Sequence, residues 1–406
     1  MKKALTIALA LSASIVLGTH RPSAALSPET TMRLDLLKTK EVIEQEEVAD
    51  FTRIIKEKTS ANTDENHHHA VQSLADRVER LAETNEKSIA LNSSIQISGL
   101  VEAELIASRE KDVNETTSSS DLSLATAQLI AKAEVNQYVS GNLTFLYEET
   151  NDNDTINIDE AIITLKGDNN NSLYINIGRQ YLPFGRFKSH FITDPGTLIL
   201  GETNDTAVVA GYASEIMDLN IGVFKGTIRE NNTGDRINSA VASLSLSIPN
   251  TEEDRLSLSC GGSYLSHLTN SDSLEDESIH GTTTDTVGGW STFISLSYND
   301  RLFLDGEYLG ATKDFAIDDF NFSSPENLRP GAWNIEAAAR VLEGTEFALR
   351  YGASKEAGSL LAQDEYGAAL LYNIFQSTNL TIEYLYQKYS DYSSNNQGTV
   401  QVAVEF

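Results

Sequence analysis

The chain has 406 residues, a formal charge of −29 and a single cysteine, Cys260. So acidic a chain argues against nucleic acid as a partner, and a lone cysteine rules out an internal disulfide. Beyond the amino terminus, no stretch approaches the roughly 18 consecutive apolar residues of a membrane helix.

Lys2 and Lys3 precede an almost unbroken apolar run from Ala4 to Leu17, and the small residues Ser23, Ala24 and Ala25 follow. That order predicts a secretory signal over residues 1–25, cut near Ala24 or Ala25. Loss of Lys2, Lys3 and Arg21 takes the exported chain to about −32.

Residues 26–93 read as a helical periplasmic region. Leu34, Leu37, Val42, Ile43, Val48, Phe51, Ile54 and Ile55 recur at roughly helical spacing. Val71, Leu74, Val78, Leu81 and Asn85 then step by three and four, a short coiled-coil seam with one polar core position. Such a seam either joins three copies of the chain or is one amphipathic helix packed on the barrel mouth, and the sequence leaves both open. His67, His68 and His69 stand in a polar stretch between the two patterns. Adjacent histidines converge poorly on one ion, so a linker is the better reading. No metal or cofactor motif is found.

From residue 94 to the end, alternating segments follow one another: 95–106, 121–136, 138–148, 156–166, 171–182, 205–214, 216–227, 236–248, 254–265, 286–298, 301–313, 331–342, 345–354, 364–374, 377–389 and 398–406. They predict an all-β fold, a transmembrane antiparallel barrel of about sixteen strands, each near the length a tilted strand needs to cross a bilayer. The last segment shows the pattern best. Val400, Val402, Val404 and Phe406 share one face, while Gln401, Ala403 and Glu405 share the other. Cys260 falls with Leu256 and Leu258 on a lipid face. The connections alternate between very short, as at Ser214-Glu215, Asn299-Asp300, Glu343-Gly344 and Gln376, and long, as at 109–120, 183–204, 268–285 and 315–329. Short turns on one side and long loops on the other mark a barrel in a bacterial outer membrane, in contact with its lipid and lipopolysaccharide. Tyr298, Tyr308, Tyr372, Tyr384, Tyr386 and Phe406 suit interfacial girdles.

The most distinctive segment is Gly178-Arg179-Gln180-Tyr181-Leu182-Pro183-Phe184-Gly185-Arg186-Phe187. Pro183 ends the strand pattern, Gly185 permits a turn, and the long third loop opens here. In sixteen-stranded porins that loop folds into the pore. It carries Arg186, Lys188 and His190, with a turn at Asp194-Pro195-Gly196. Arg340 and Arg350 each lie opposite the apolar face of their strand, so both point into the lumen. Arg186, Lys188, Arg340 and Arg350 are therefore the candidate pore-lining residues for an anionic solute. The competing reading pairs the two strand arginines with lumen acids such as Glu336, Glu307 or Glu383.

Over roughly residues 90–406 the chain resembles the LbtU-type siderophore porins, the legiobactin receptor family. The resemblance rests on Gly178, Arg179, Pro183, Phe184 and Gly185 within the segment above and on the closing strand. The Pro-Phe-Gly element also looks like one in phosphate-selective porins, a mark of the wider porin group. The resemblance implies passage of a ferric polycarboxylate siderophore without an energised plug. The 22 strands and plug of a gated receptor do not fit in this length. A general or anion-preferring porin and a structural or adhesive barrel stand as alternatives. An enzyme does not, because His190, His267 and His280 all fall in loops without a nucleophile well placed beside them. The expectation from sequence is that neutralising Arg186 and Lys188 shifts ion selectivity toward cations; an unchanged reversal potential across a planar bilayer removes both from the selectivity mechanism.

Overall fold

The structure is a computed structural model and describes residues 95–406, apart from 113–114, 150–154, 168–171, 232, 235, 249–254, 317 and 323–325. The expected signal, the helical region and the histidine run lie outside the described residues.

Sixteen strands run in chain order: β1 (Ile95–Lys111), β2 (Thr116–Asn136), β3 (Val139–Tyr147), β4 (Asn157–Lys166), β5 (Leu173–Tyr181), β6 (Asn204–Ala213), β7 (Met217–Phe224), β8 (Ser239–Ile248), β9 (Leu256–Leu265), β10 (Gly289–Tyr298), β11 (Leu302–Ala311), β12 (Gly331–Leu342), β13 (Thr345–Lys355), β14 (Asp364–Phe375), β15 (Thr378–Lys388) and β16 (Ser394–Glu405). Each pairs antiparallel with its neighbours in sequence, and β1 pairs with β16 to close the barrel. Closure leaves no edge strand, so every backbone group in the wall finds a partner across the ladder. Phe406 completes the seam, exchanging both backbone hydrogen bonds with Gly99 at 2.8 and 3.0 Å.

All sixteen expected strands are present, with shifted ends. The largest shift is in the first hairpin. Residues 109–120, expected as a long loop, extend the ladder instead, with Lys111 opposite Thr116. The Thr- and Ser-rich stretch has no apolar alternation to announce a strand. Its residues pair well across a ladder all the same, and Ser108 and Ser119 join through their hydroxyls at 2.7 Å. The short turns follow the sequence. Asn299 and Asp300 both take left-handed backbone, at φ 56° and 51°, as the tightest hairpin turns require.

The outer face is apolar and accessible; Ile163, Ile221, Ile294 and Leu349 are each at least half exposed. Cys260 is exposed on it, as expected. Trp290, Tyr308 and Trp333 stand side by side on β10, β11 and β12, and Tyr351, Tyr366 and Tyr386 on β13, β14 and β15. This belt lies toward the loop end. Tyr298, Tyr372 and Phe406 lie toward the turn end, so the aromatics form the two girdles of a membrane barrel.

Inside, the loop end of β6–β12 is filled. A short helix α1 (Gly196–Gly201) from the third loop packs with α2 (Asp272–Asp276) and with the loops around Phe315 and Leu361. Phe184, Leu200, Phe224, Leu268, Leu274, Leu309 and Phe315 are almost fully buried there. Burial of each contributes about 1.5–3 kcal/mol, which suffices to hold loops that have little secondary structure.

Candidate functional site

The third loop, residues 182–203, leaves β5 and returns at β6. Its backbone and side chains reach β11, β12, β13 and β15. β13 lies eight strands from β5 in either direction round the barrel, so the loop crosses the lumen.

The chain needs two glycines to do this. Gly178 has φ +136°, and a Cβ there would sit 1.9 Å from the Ala161 carbonyl oxygen. Gly185 has φ +79°, and any side chain would meet the Phe187 ring at 2.2 Å. Phe184 anchors the entry in the apolar core, and the Gly185 N–H donates to Ser263 Oγ at 2.9 Å. Pro183 ends β5 as expected, whereas Arg179 shares the outer face with Ile177 and Tyr181.

Beyond Gly185 the loop is irregular, and three wall carboxylates replace the ladder. Glu307 accepts the N–H groups of Arg186 and Phe187 at 2.6 and 2.9 Å, with the Thr197 hydroxyl at 3.2 Å. Glu336 accepts the His190 N–H at 2.6 Å and the Ser189 hydroxyl at 3.1 Å. Glu383 accepts the N–H groups of Ile192 and Thr193 at 2.6 and 3.2 Å, and the Thr193 hydroxyl at 2.5 Å. Carboxylates among backbone donors make strong hydrogen bonds.

The basic residues compensate these acids. Arg350 is sealed from solvent: Nε meets Glu336 at 2.9 Å, Nη1 meets Glu365 at 3.2 Å and Nη2 donates to Ser189 Oγ at 2.6 Å. Its guanidinium lies 4.3 Å from the Phe191 ring centroid. Arg350 points inward as expected and takes the paired alternative, with Glu336 as partner. Lys188 meets Asp305 at 2.9 Å. Arg186 lies over Phe293, 5.4 Å from the ring centroid. Arg340 is half exposed at the turn end, bonded to Glu346 at 3.2 Å and to the Asp300 carbonyl at 3.1 Å. The four candidate residues thus gather against one arc of wall, β10–β14.

His190 completes that arc. Nδ1 meets Glu346 at 2.7 Å and Nε2 meets Asp305 at 3.1 Å, so both ring nitrogens donate and the imidazole is charged. Burial opposes the charge, but the hydrogen bonds and charges of Asp305 and Glu346 outweigh it and raise the side chain to about 9.

The other edge of the loop is acidic. Asp194, at the tip, is exposed to lumen water while enclosed by wall and loop. That enclosure raises its carboxyl, and the charge of Arg350 offsets it in part. Asp194 is electrostatically coupled to Glu104 on β1 and to Glu148 just past β3. Burial raises Glu148, and repulsion from Asp159 and Asp194 adds to it. Glu202 is pushed up to about 7 by burial and by Asp272, Asp194, Asp159 and Glu148. Facing the loop across the passage, Glu160 on β4 accepts from Asn142 at 3.1 Å, and Glu104 accepts from Gln401 at 2.8 Å. Lys166 at the turn end is paired with Glu134 at 3.0 Å. The sequence reading named the basic residues and missed Asp194, Glu104, Glu148 and Glu160; the inward parity of Glu104 and Glu160 on their strands was the available signal.

Comparisons with known proteins agree with the barrel. No family model matches the chain. It is 26% identical over 277 residues to a UPF0422 protein of Coxiella burnetii, covering 66% of this chain and 59% of that protein. It is 23% identical over 316 residues to a UPF0422 protein of Legionella pneumophila, covering 71% and 58%. The chain thus spans less than two thirds of the length of the curated relatives it matches. Among solved structures it is similar to the outer-membrane channel DcaP of Acinetobacter baumannii, at 15% identity and TM-score 0.53, covering 77% of this chain and 97% of that one. It is also similar to an anion-selective porin of Comamonas acidovorans, at 14% identity and TM-score 0.55, covering 77% and 99%. The fold is that of a sixteen-stranded porin.

Two outcomes follow from the wall contacts. Arg350→Ala leaves Glu336 buried beside one fewer positive charge and is expected to lose about 3–5 kcal/mol in urea unfolding from lipid vesicles, with Glu336→Gln in the same chain restoring part of it. His190 supplies the pH dependence. A released loop returns the imidazole to about 6.5. Docking is therefore favoured in full below about 6.5, fades as pH rises, and loses this contribution above about 9. Current flicker from loop motion should increase above that pH and lose its pH dependence in His190→Gln.

Proposed function

We propose that the chain is a passive outer-membrane channel for small-solute uptake. The carrying observation is the loop fixed across the lumen of a sixteen-stranded barrel, with a water-accessible polar edge left beside β16 and β1–β4. A barrel stapled in this way narrows a passage without needing a plug, and solutes move down their gradients. The outer aromatic girdles fit it to lipid at both interfaces. Association into a homotrimer, through the coiled-coil seam, belongs to the same proposal.

The family resemblance supports a narrower reading, passage of a ferric polycarboxylate siderophore. The cations suited to such a ligand are Arg186 and the half-exposed Arg340, while the acids along the passage oppose a polyanion. Single-channel recording of refolded protein in planar bilayers, with and without a ferric polycarboxylate siderophore, separates these readings. Discrete open steps are expected. Block by the siderophore at low concentration favours the narrower reading, indifference favours a general porin, and no steps from well-folded protein defeats the channel.

A further inference from the structure

On the reading of the chain as a channel, we infer that the passage selects for cations, with Asp194 on the loop and Glu104 and Glu160 on the facing wall as the residues that set the preference. Two independent features lead there. The first is where the positive charges are. Lys188 and His190 bond to Asp305, His190 and Arg340 bond to Glu346, and Arg350 bonds to Glu336 and Glu365. Each of these cations is matched by a carboxylate on the wall it faces, and at more than a few ångströms a matched pair projects little field. The loop's basic side is thereby turned away from the passage and neutralised.

The second feature is what remains. Asp194 is exposed at the loop tip, and Thr193 beside it is tied to Glu383 on β15. Two strands further round the wall, across β16, Glu104 projects inward from β1. Glu104 and Glu160 hydrogen-bond through amides of Gln401 and Asn142, neutral groups that orient a carboxylate without cancelling its charge. Lys132 on the same arc lies toward the turn end, opposite Asn142 in the ladder. Acids facing one another across a water-filled gap in a low-dielectric wall focus a negative potential. The gap is comparable with a Debye length of about 10 Å at 0.1 M salt, so the potential acts on every passing ion. These acids set the sign of the permeating ion without holding one.

The sense is opposite to that expected from the sequence, which placed control in Arg186 and Lys188, and one experiment separates the two. Reversal potentials are measured under a potassium chloride gradient for the full chain, for Asp194→Asn with Glu104→Gln, and for Arg186→Gln with Lys188→Gln. The expected result is several-fold preference for potassium over chloride, reduced by roughly half or more in the acid variant and little changed in the basic one. The amide replacements keep shape and hydrogen-bond partners, and unchanged single-channel step size distinguishes a lost charge from a lost fold. Preference for chloride, no preference, or a potassium preference untouched in the acid variant overturns the inference while leaving the channel standing. Absence of open steps in the unaltered chain overturns the channel reading itself and the selectivity with it.

Discussion

The structure depends on how residues 182–203 satisfy their backbone once they leave the sheet. An irregular segment inside a barrel has no ladder to join, and each unpaired N–H costs about as much as a lost hydrogen bond. Glu307, Glu336 and Glu383 meet that demand, each taking one or two consecutive N–H groups from the loop. Their presence on the lumen face is therefore a backbone requirement before it is an electrostatic one. Placing three carboxylates there has its own cost, because each must be drawn out of bulk water. Arg350, Lys188 and His190 offset it, two of them supplied by the loop itself.

One consequence is sidedness. A loop held by acids on β11–β15 must turn its cations toward them, which leaves the opposite edge to be furnished separately. The apolar packing over β6–β12 reinforces this, since it closes that half of the mouth with Phe184, Leu200, Leu268 and Leu309. The passage is left eccentric, bounded by the loop on one side and by β16 and β1–β4 on the other. Its chemistry is thus set by few side chains, and those are acidic.

Much of this architecture is legible in the chain. Period-two alternation identifies all sixteen strands, and alternating connection lengths give their up-and-down order, because both are local properties of the sequence. Inward parity also places Arg340 and Arg350 on the lumen face. What local pattern cannot supply is partnership across the barrel. Arg186 and Glu307 are 121 residues apart, and Ile192 and Glu383 are 191 apart. No spacing rule links a loop N–H to a wall acid at that range, so Arg350 reads equally well as a free pore charge or as a paired one. The first hairpin fails for a different reason: Thr116 to Ser120 form strand by pairing, not by burying one apolar face, and without that face the alternation signal vanishes.

The same distinction bears on how a motif should be weighed. Within Gly178 to Gly185, the two glycines provide backbone shapes that other residues resist, Phe184 fills the core and Pro183 ends the strand. None of these side chains has to meet a solute for the motif to be needed. A sequence resemblance resting on it reports that the third loop enters the barrel, and it would do so equally for a phosphate channel, a siderophore channel or a general one. Solute preference has to be read instead from positions the loop leaves facing water. There Asp194 is flanked by Thr193, which is held by the wall, and by Pro195, so its carboxylate is presented on a stiff stretch of backbone. A charge held in place at a narrowing discriminates among passing ions more sharply than one on a mobile side chain, because its field does not move aside as the ion arrives.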